Sequence, residues 1–147
     1  MGVVMKPVEF RGKALDDLRR FPQSARRAAG YQIDRDERYR AGARSLQRTD
    51  EGEIVSKQRF QSVWDAIEDT PQQAASMRAR SELVIQLTEV IKKRGMTQAE
   101  AAKLFGVTQP RVSDLTRGKV ELFSLDALVD MAAVAGLAPQ IKIKQAA

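Results

Sequence analysis

The stretch MTQAEAAKLFGVTQPRVSDLTRGK, residues 96–119, fits two short helices around a single glycine and leaves this part of the chain few ways to fold. Thr97 is placed to cap the first helix and Glu100 completes a capping box, so a helix is expected from Gln98 to about Phe105. Ala101, Leu104 and Phe105 form its buried side, and the alanines at 99, 101 and 102 keep it slim enough for a second helix to cross closely. Gly106 supplies the turn and Val107 plugs the corner. Thr108 caps the next helix, whose first turn tolerates Pro110 because an N–H there has no intrahelical acceptor. At about 100° per residue, Val112 and Leu115 pin one face to a core. Pro110 and Asp114 then point away, Arg111 and Ser113 flank them, and Gln109 stands at the exposed N-terminal end. A helix held by its back in this way presents an element about 10–12 Å wide, the size that enters the major groove of DNA.

Helices this short are marginal alone, so their neighbours must supply the core. Before them runs a stripe of Leu83, Val84, Leu87, Val90 and Ile91, ended by Gly95 behind Lys92, Lys93 and Arg94, cations that suit a helix C-terminus. After them, FSLDALVDMAAVAG offers Ser124 as a cap, Leu125, Leu128, Val129 and Ala132 for packing, and Gly136 as a stop. Further upstream, QSVWDAIEDT reads as a short helix with Val63, Trp64 and Ile67 inward. Pro71 then opens a long helical stretch with a break expected near Arg80 and Ser81. At the other end PQIKIKQ alternates Ile141 and Ile143 with Lys142 and Lys144, the period of a half-buried strand. Such a strand must pair with a second subunit or with VEFRG near the N-terminus, or else fray.

VEFRG itself reads as a strand, followed by KALDDLRRF and QSARRAAGYQI as helices parted at Pro22. Ala14, Leu15, Leu18 and Phe21 share one face, a stripe that lacks a partner within the hairpin. Residues 36–59 are rich in charge and poor in large apolar side chains, the composition of a connector. The expected fold is mainly α: a helix-turn-helix bundle of about five helices with a short C-terminal strand, preceded by an N-terminal strand and helical hairpin. The expected organisation is 1–35 strand and hairpin, 36–59 linker, 60–80 helical lead, 81–137 helix-turn-helix domain and 138–147 strand and tail.

Chemistry is narrowed by what the 147 residues omit, since they include neither Cys nor His. Thiolate nucleophiles, imidazole bases and nearly all transition-metal sites are thereby excluded, and no catalytic residue, metal or cofactor is expected. Asp16 and Asp17 have no matching acid, base or metal-site spacing. The net charge is +6, and residues 92–119 set seven basic side chains against Glu100 and Asp114, a composition suited to a polyanion. The absence of a long apolar run and of cysteine leads to the expectation of a cytoplasmic protein with no membrane partner.

Residues 96–119, with RSELVIQLTEVIKKRG before them and VELFSLDALVDMAAVAG after, resemble the XRE (Cro/C1-type) helix-turn-helix family, particularly the HigA-like antitoxins of bacterial toxin–antitoxin modules. SVWDAIEDTPQQAASMRARSEL looks like the helical lead of the same subgroup. The resemblance implies that Gln109, Pro110, Arg111, Ser113 and Asp114 face bases, and that Gln98, Thr116, Arg117 and Lys119 meet phosphates. Pro110 stands where phage repressors often carry a polar residue. VEFRGKALDDLRRFPQSARRAAGYQIDR, in turn, is similar to the opening strand and hairpin of HigB-like toxins of the RelE/ParE superfamily, without the sheet that carries their RNA-cleaving residues.

Three functions follow from these observations. The first is a sequence-specific regulator, an antitoxin-type autorepressor reading double-stranded operator DNA as a homodimer, with a HigB-like toxin as a further partner. The second is a toxin-neutralising interaction module that does not bind an operator. The third, an RNA-cleaving toxin, is the weakest, because only a strand and hairpin of that family are represented.

Overall fold

The computed structural model describes residues 7–40 and 57–145 and divides into two compact units, Met1–Ser81 and Glu82–Ala147. Among the described residues it is mainly helical, with one small antiparallel sheet.

In the first unit, strand β1 (Val8–Arg11) pairs antiparallel with β2 (Lys57–Phe60), Val8 opposite Phe60 and Phe10 opposite Gln58. Val8 and Phe10 are buried while Glu9 and Arg11 are exposed, the two-residue alternation of a sheet with one wet face. The rings of Phe10 and Phe60 meet edge to face at 6.2 Å. Helix α1 (Ala14–Arg19) buries Leu15 and Leu18. Ala14 and Phe21, expected on the same stripe, are exposed: Ala14 is the first residue of α1, and Phe21 lies beyond its end at Arg19.

Helix α2 (Gln23–Arg40) runs five residues past the hairpin boundary expected at residue 35, and β2 occupies the end of the stretch read as connector. The centre of that stretch, 41–56, lies outside the described residues. Helix α3 (Val63–Ile67) provides the partner that the hairpin stripe needed, since it packs on both α1 and α2. Trp64 and Val63 are fully buried there. Gly30 of α2 lets the two helices approach closely: a Cβ on Gly30 would stand 2.5 Å from Ile67 Cδ1 and 3.1 Å from the Trp64 ring. Polar contacts fix the packing. Arg19 donates to the Ala66 carbonyl at 3.0 Å, and Arg27 grips the buried Glu68 carboxylate through two bonds of 2.9 and 3.1 Å.

Helix α4 (Pro71–Lys93) is continuous, with no break at Arg80 and Ser81. Thr70 caps it by accepting the Gln73 N–H at 3.2 Å. Ser81 is wholly buried in mid-helix, where its hydroxyl donates to Asp34 at 2.6 Å. The serine that suggested a break is thus a satisfied core residue.

The second unit contains the end of α4, α5 (Gln98–Phe105), α6 (Gln109–Thr116), a 3-10 turn (Val120–Leu122) and α7 (Leu125–Val134). Its core draws on Val84, Leu87, Ala101, Val112, Leu115, Phe123 and Leu128. Helix α4 closes at Gly95 (φ +58°) and α7 at Gly136 (φ +82°), each with the paired backbone bonds of a left-handed C-terminal cap. The expected C-terminal strand is not formed. Residues 138–145 carry no regular structure, with Ile141 80% and Ile143 92% exposed. Alternation selects a face but not a partner, and β1, one of the partners considered for it, pairs instead with Lys57–Phe60.

Candidate nucleic-acid interface

The interface is built from α5 upward. The Thr97 hydroxyl accepts the Glu100 N–H at 3.2 Å, and the Glu100 carboxylate accepts the Thr97 N–H at 3.0 Å, the reciprocal capping expected from the sequence. Ala101, Ala102 and Phe105 are buried, while Leu104 is only half-buried and Ala99 exposed. Gly106 turns the chain at φ +67°, and Val107 donates back to the Ala102 carbonyl at 3.0 Å. Half-buried Val107 lies in the corner between the two helices.

Helix α6 starts from Thr108 in extended conformation, yet the Thr108 hydroxyl makes no capping bond, contrary to expectation. Pro110 sits in the first turn and removes one of the donors a cap would have satisfied. Val112 and Leu115 are wholly buried and fix the helix by its back. Gln109 and Pro110 are exposed at its N-terminal end, and Ser113 and Asp114 are half-buried along its flank. Gln98 is exposed at the start of α5.

At the C-terminal end Thr116 turns its hydroxyl back onto the Ser113 carbonyl at 3.1 Å. Gly118 takes φ +73°, with its N–H bonded to the Leu115 carbonyl and the Lys119 N–H to the Asp114 carbonyl. Lys119 Nζ also lies 3.3 Å from Asp114 Oδ1, so one residue expected at bases and one expected at phosphate form an ion pair. Arg117 is exposed beside them.

Arg111 departs most from its expected surroundings. Its guanidinium stacks over the Phe123 ring, 4.4 Å from the centroid, and Nη2 donates to the Leu122 carbonyl at 2.7 Å. There it borders a groove of about 210 Å³ lined also by Phe105, Val107, Met131 and Val134. Phe123 was not expected to take part in the site. Its signal was positional, an aromatic immediately before the Ser124 cap, where an apolar residue commonly packs back onto the helix.

Two adjoining helices with a tight glycine corner, the second buried at its back and open at its N-terminal front, agree with a family model of a helix-turn-helix domain that matches residues 66–144. The chain belongs to this helix-turn-helix family. The match begins within α3 and continues past α7, so in this helix-turn-helix protein it takes in α4 before the two motif helices and α7 after them. No curated protein matches the chain. Among the described residues, no helix of the helix-turn-helix protein is long and apolar enough to cross a membrane.

Proposed function

We propose that this protein is a sequence-specific DNA-binding regulator of the XRE type, an antitoxin-like autorepressor that reads operator DNA as a homodimer. Gln109 and Pro110 carry the proposal: they are exposed at the front of a helix whose Val112 and Leu115 are fully buried. Gln109 presents an amide suited to an adenine edge, and Ser113 and Asp114 follow it along the flank. Gln98, Thr116, Arg117 and Lys119 surround them as phosphate contacts, which fix orientation without reading sequence. Asp114 and Lys119 exchange their mutual ion pair for DNA contacts on binding.

The first unit supports a protein-binding role beside this one. Residues 1–35 resemble the start of a HigB-like toxin, and we read them as a toxin-derived fragment without RNA-cleaving activity that engages a partner protein. A second reading, in keeping with the HigA-like resemblance of residues 60–136, is a toxin-neutralising module that does not bind an operator. An electrophoretic shift on the gene's own upstream DNA at stated salt tests the regulator. A shift that survives excess unrelated duplex is expected, and equal competition by both duplexes would leave only the neutralising role. Ribosome-dependent mRNA cleavage by the purified chain would overturn the inactive-fragment reading.

A further inference from the structure

We infer that Arg111 is a positioning residue of the DNA-binding surface, acting through Phe123 and Leu122 to set the turn that presents Arg117 and Lys119, rather than itself reading a base. This rests on the DNA-binding reading of α6. The sequence places Arg111 on the flank of α6, from which a long side chain reaches either outward to DNA or inward across the helix end. The structure takes the inward course. The guanidinium lies 4.4 Å from the Phe123 centroid and donates to the Leu122 carbonyl at 2.7 Å. Phe123 is 1% exposed and Leu122 is in the 3-10 turn directly after Lys119, so a fixed platform and the backbone of the loop are both tied to α6.

Reaching a base would mean giving up both contacts at once, a charge-assisted bond to a carbonyl and a cation over an aromatic face. Staying in place, Arg111 braces the first half of α6 against the chain that follows it. Arg117 and Lys119 lie between these two anchored points, with Gly118 at positive φ in the middle. Their distance to a phosphate therefore depends on the brace, and a neutral residue, Phe123, becomes part of an electrostatic contact.

The test is a double-mutant cycle with Arg111→Ala and Phe123→Leu in the full chain. Binding is titrated over a salt series against a duplex selected from a random pool by the wild-type protein and against an unrelated duplex of equal length. Each single variant is expected to lose about tenfold in affinity on both duplexes, with the double variant little worse than either. The logarithmic salt slope is expected to fall by about one for both, including Phe123→Leu, which removes no charge. Relative base preferences at every position of the selected duplex stay as in the wild type. Thermal melting establishes folding; if Arg111→Ala does not fold, Arg111→Gln takes its place, and if Phe123→Leu does not fold, Phe123→Met, which fills a similar volume without the ring, takes its place.

Additive losses, an unchanged slope for folded Phe123→Leu, or lost preference at a single base position would overturn the inference while leaving DNA binding intact. Failure of the wild-type chain to bind either duplex would overturn the DNA-binding reading, and this inference with it.

Discussion

The indole Nε1 of Trp64 donates to Oδ2 of Asp34 at 3.1 Å, tying α3 to α2 through a carboxylate that is only 6% exposed. The same oxygen accepts the Ser81 hydroxyl at 2.6 Å, so three helices converge on one buried acidic atom. Burial of such a charge is costly unless its oxygens are hydrogen-bonded, which makes each donor worth more than a surface bond.

Trp64→Phe should therefore cost about 1–3 kcal/mol for the deleted donor alone, with a further loss from the smaller ring. Urea unfolding followed by far-UV circular dichroism measures it. Trp64 is the single tryptophan of the chain, so its fluorescence in the wild type reports the first unit specifically. A Trp64→Phe variant with an unchanged midpoint would mean that Asp34 does not depend on the indole.

At Gly106 the strain is in the backbone alone. Its φ is +67°, and an added Cβ would meet nothing within 4 Å. Gly106→Ala is expected to destabilise the second unit by about 1–2 kcal/mol, the cost of a left-handed L-residue, and Gly106→Asn by less. Thermal melts of the two variants should rank in that order.

On the proposed reading, Gln109 reads bases and Arg117 binds phosphate, and substitution separates the two roles. Gln109→Ala should weaken a selected operator duplex by about 1–3 kcal/mol and an unrelated duplex far less. Arg117→Ala should weaken both alike and lower the salt slope by about one. Titrations at several salt concentrations decide it, and a uniform loss for Gln109→Ala would move that residue among the phosphate contacts.

Self-association is expected through α7 and the residues after it. Val134, Ile141 and Ile143 expose apolar surface there, and a single recognition helix buries little area for a specific complex. Sedimentation at micromolar concentration should give a dimer, and removing residues 138–147 should shift it toward monomer. A wild-type chain that sediments as a monomer with and without DNA would exclude this.

The helix-turn-helix was legible because its signals are local. Thr97 with Glu100, the glycine at 106 and the pair Val112 and Leu115 each act within one turn of helix. What escaped depended on distant partners or on side-chain reach. IKIK has the pattern of a strand, but a ladder requires a second edge, and β1 pairs with a short stretch at the end of a charge-rich segment. Periodicity gives the direction in which Arg111 leaves α6, whereas its flexible stem decides where the guanidinium stops. Phe21 fitted a helical stripe that the helix ended too early to include, and the serine at 81 looked like a breaker until Asp34, 47 residues away, supplied its acceptor.

Gly30 imposes an order on how α2 and α3 can diverge in sequence. Alanine is favoured over glycine in a helix by about 1 kcal/mol, but here a methyl would press on Ile67 Cδ1 and on the Trp64 ring. The first obstacle is the tip of an aliphatic chain, which Ile67→Val removes; the ring edge, at 3.1 Å, requires only a small shift. Gly30→Ala alone is expected to cost about 1–3 kcal/mol and much less in an Ile67→Val background, as a double-mutant cycle by urea unfolding would measure. A descendant of this chain reaches a side chain at position 30 by way of a shortened residue 67, and the reverse path passes through a less stable protein.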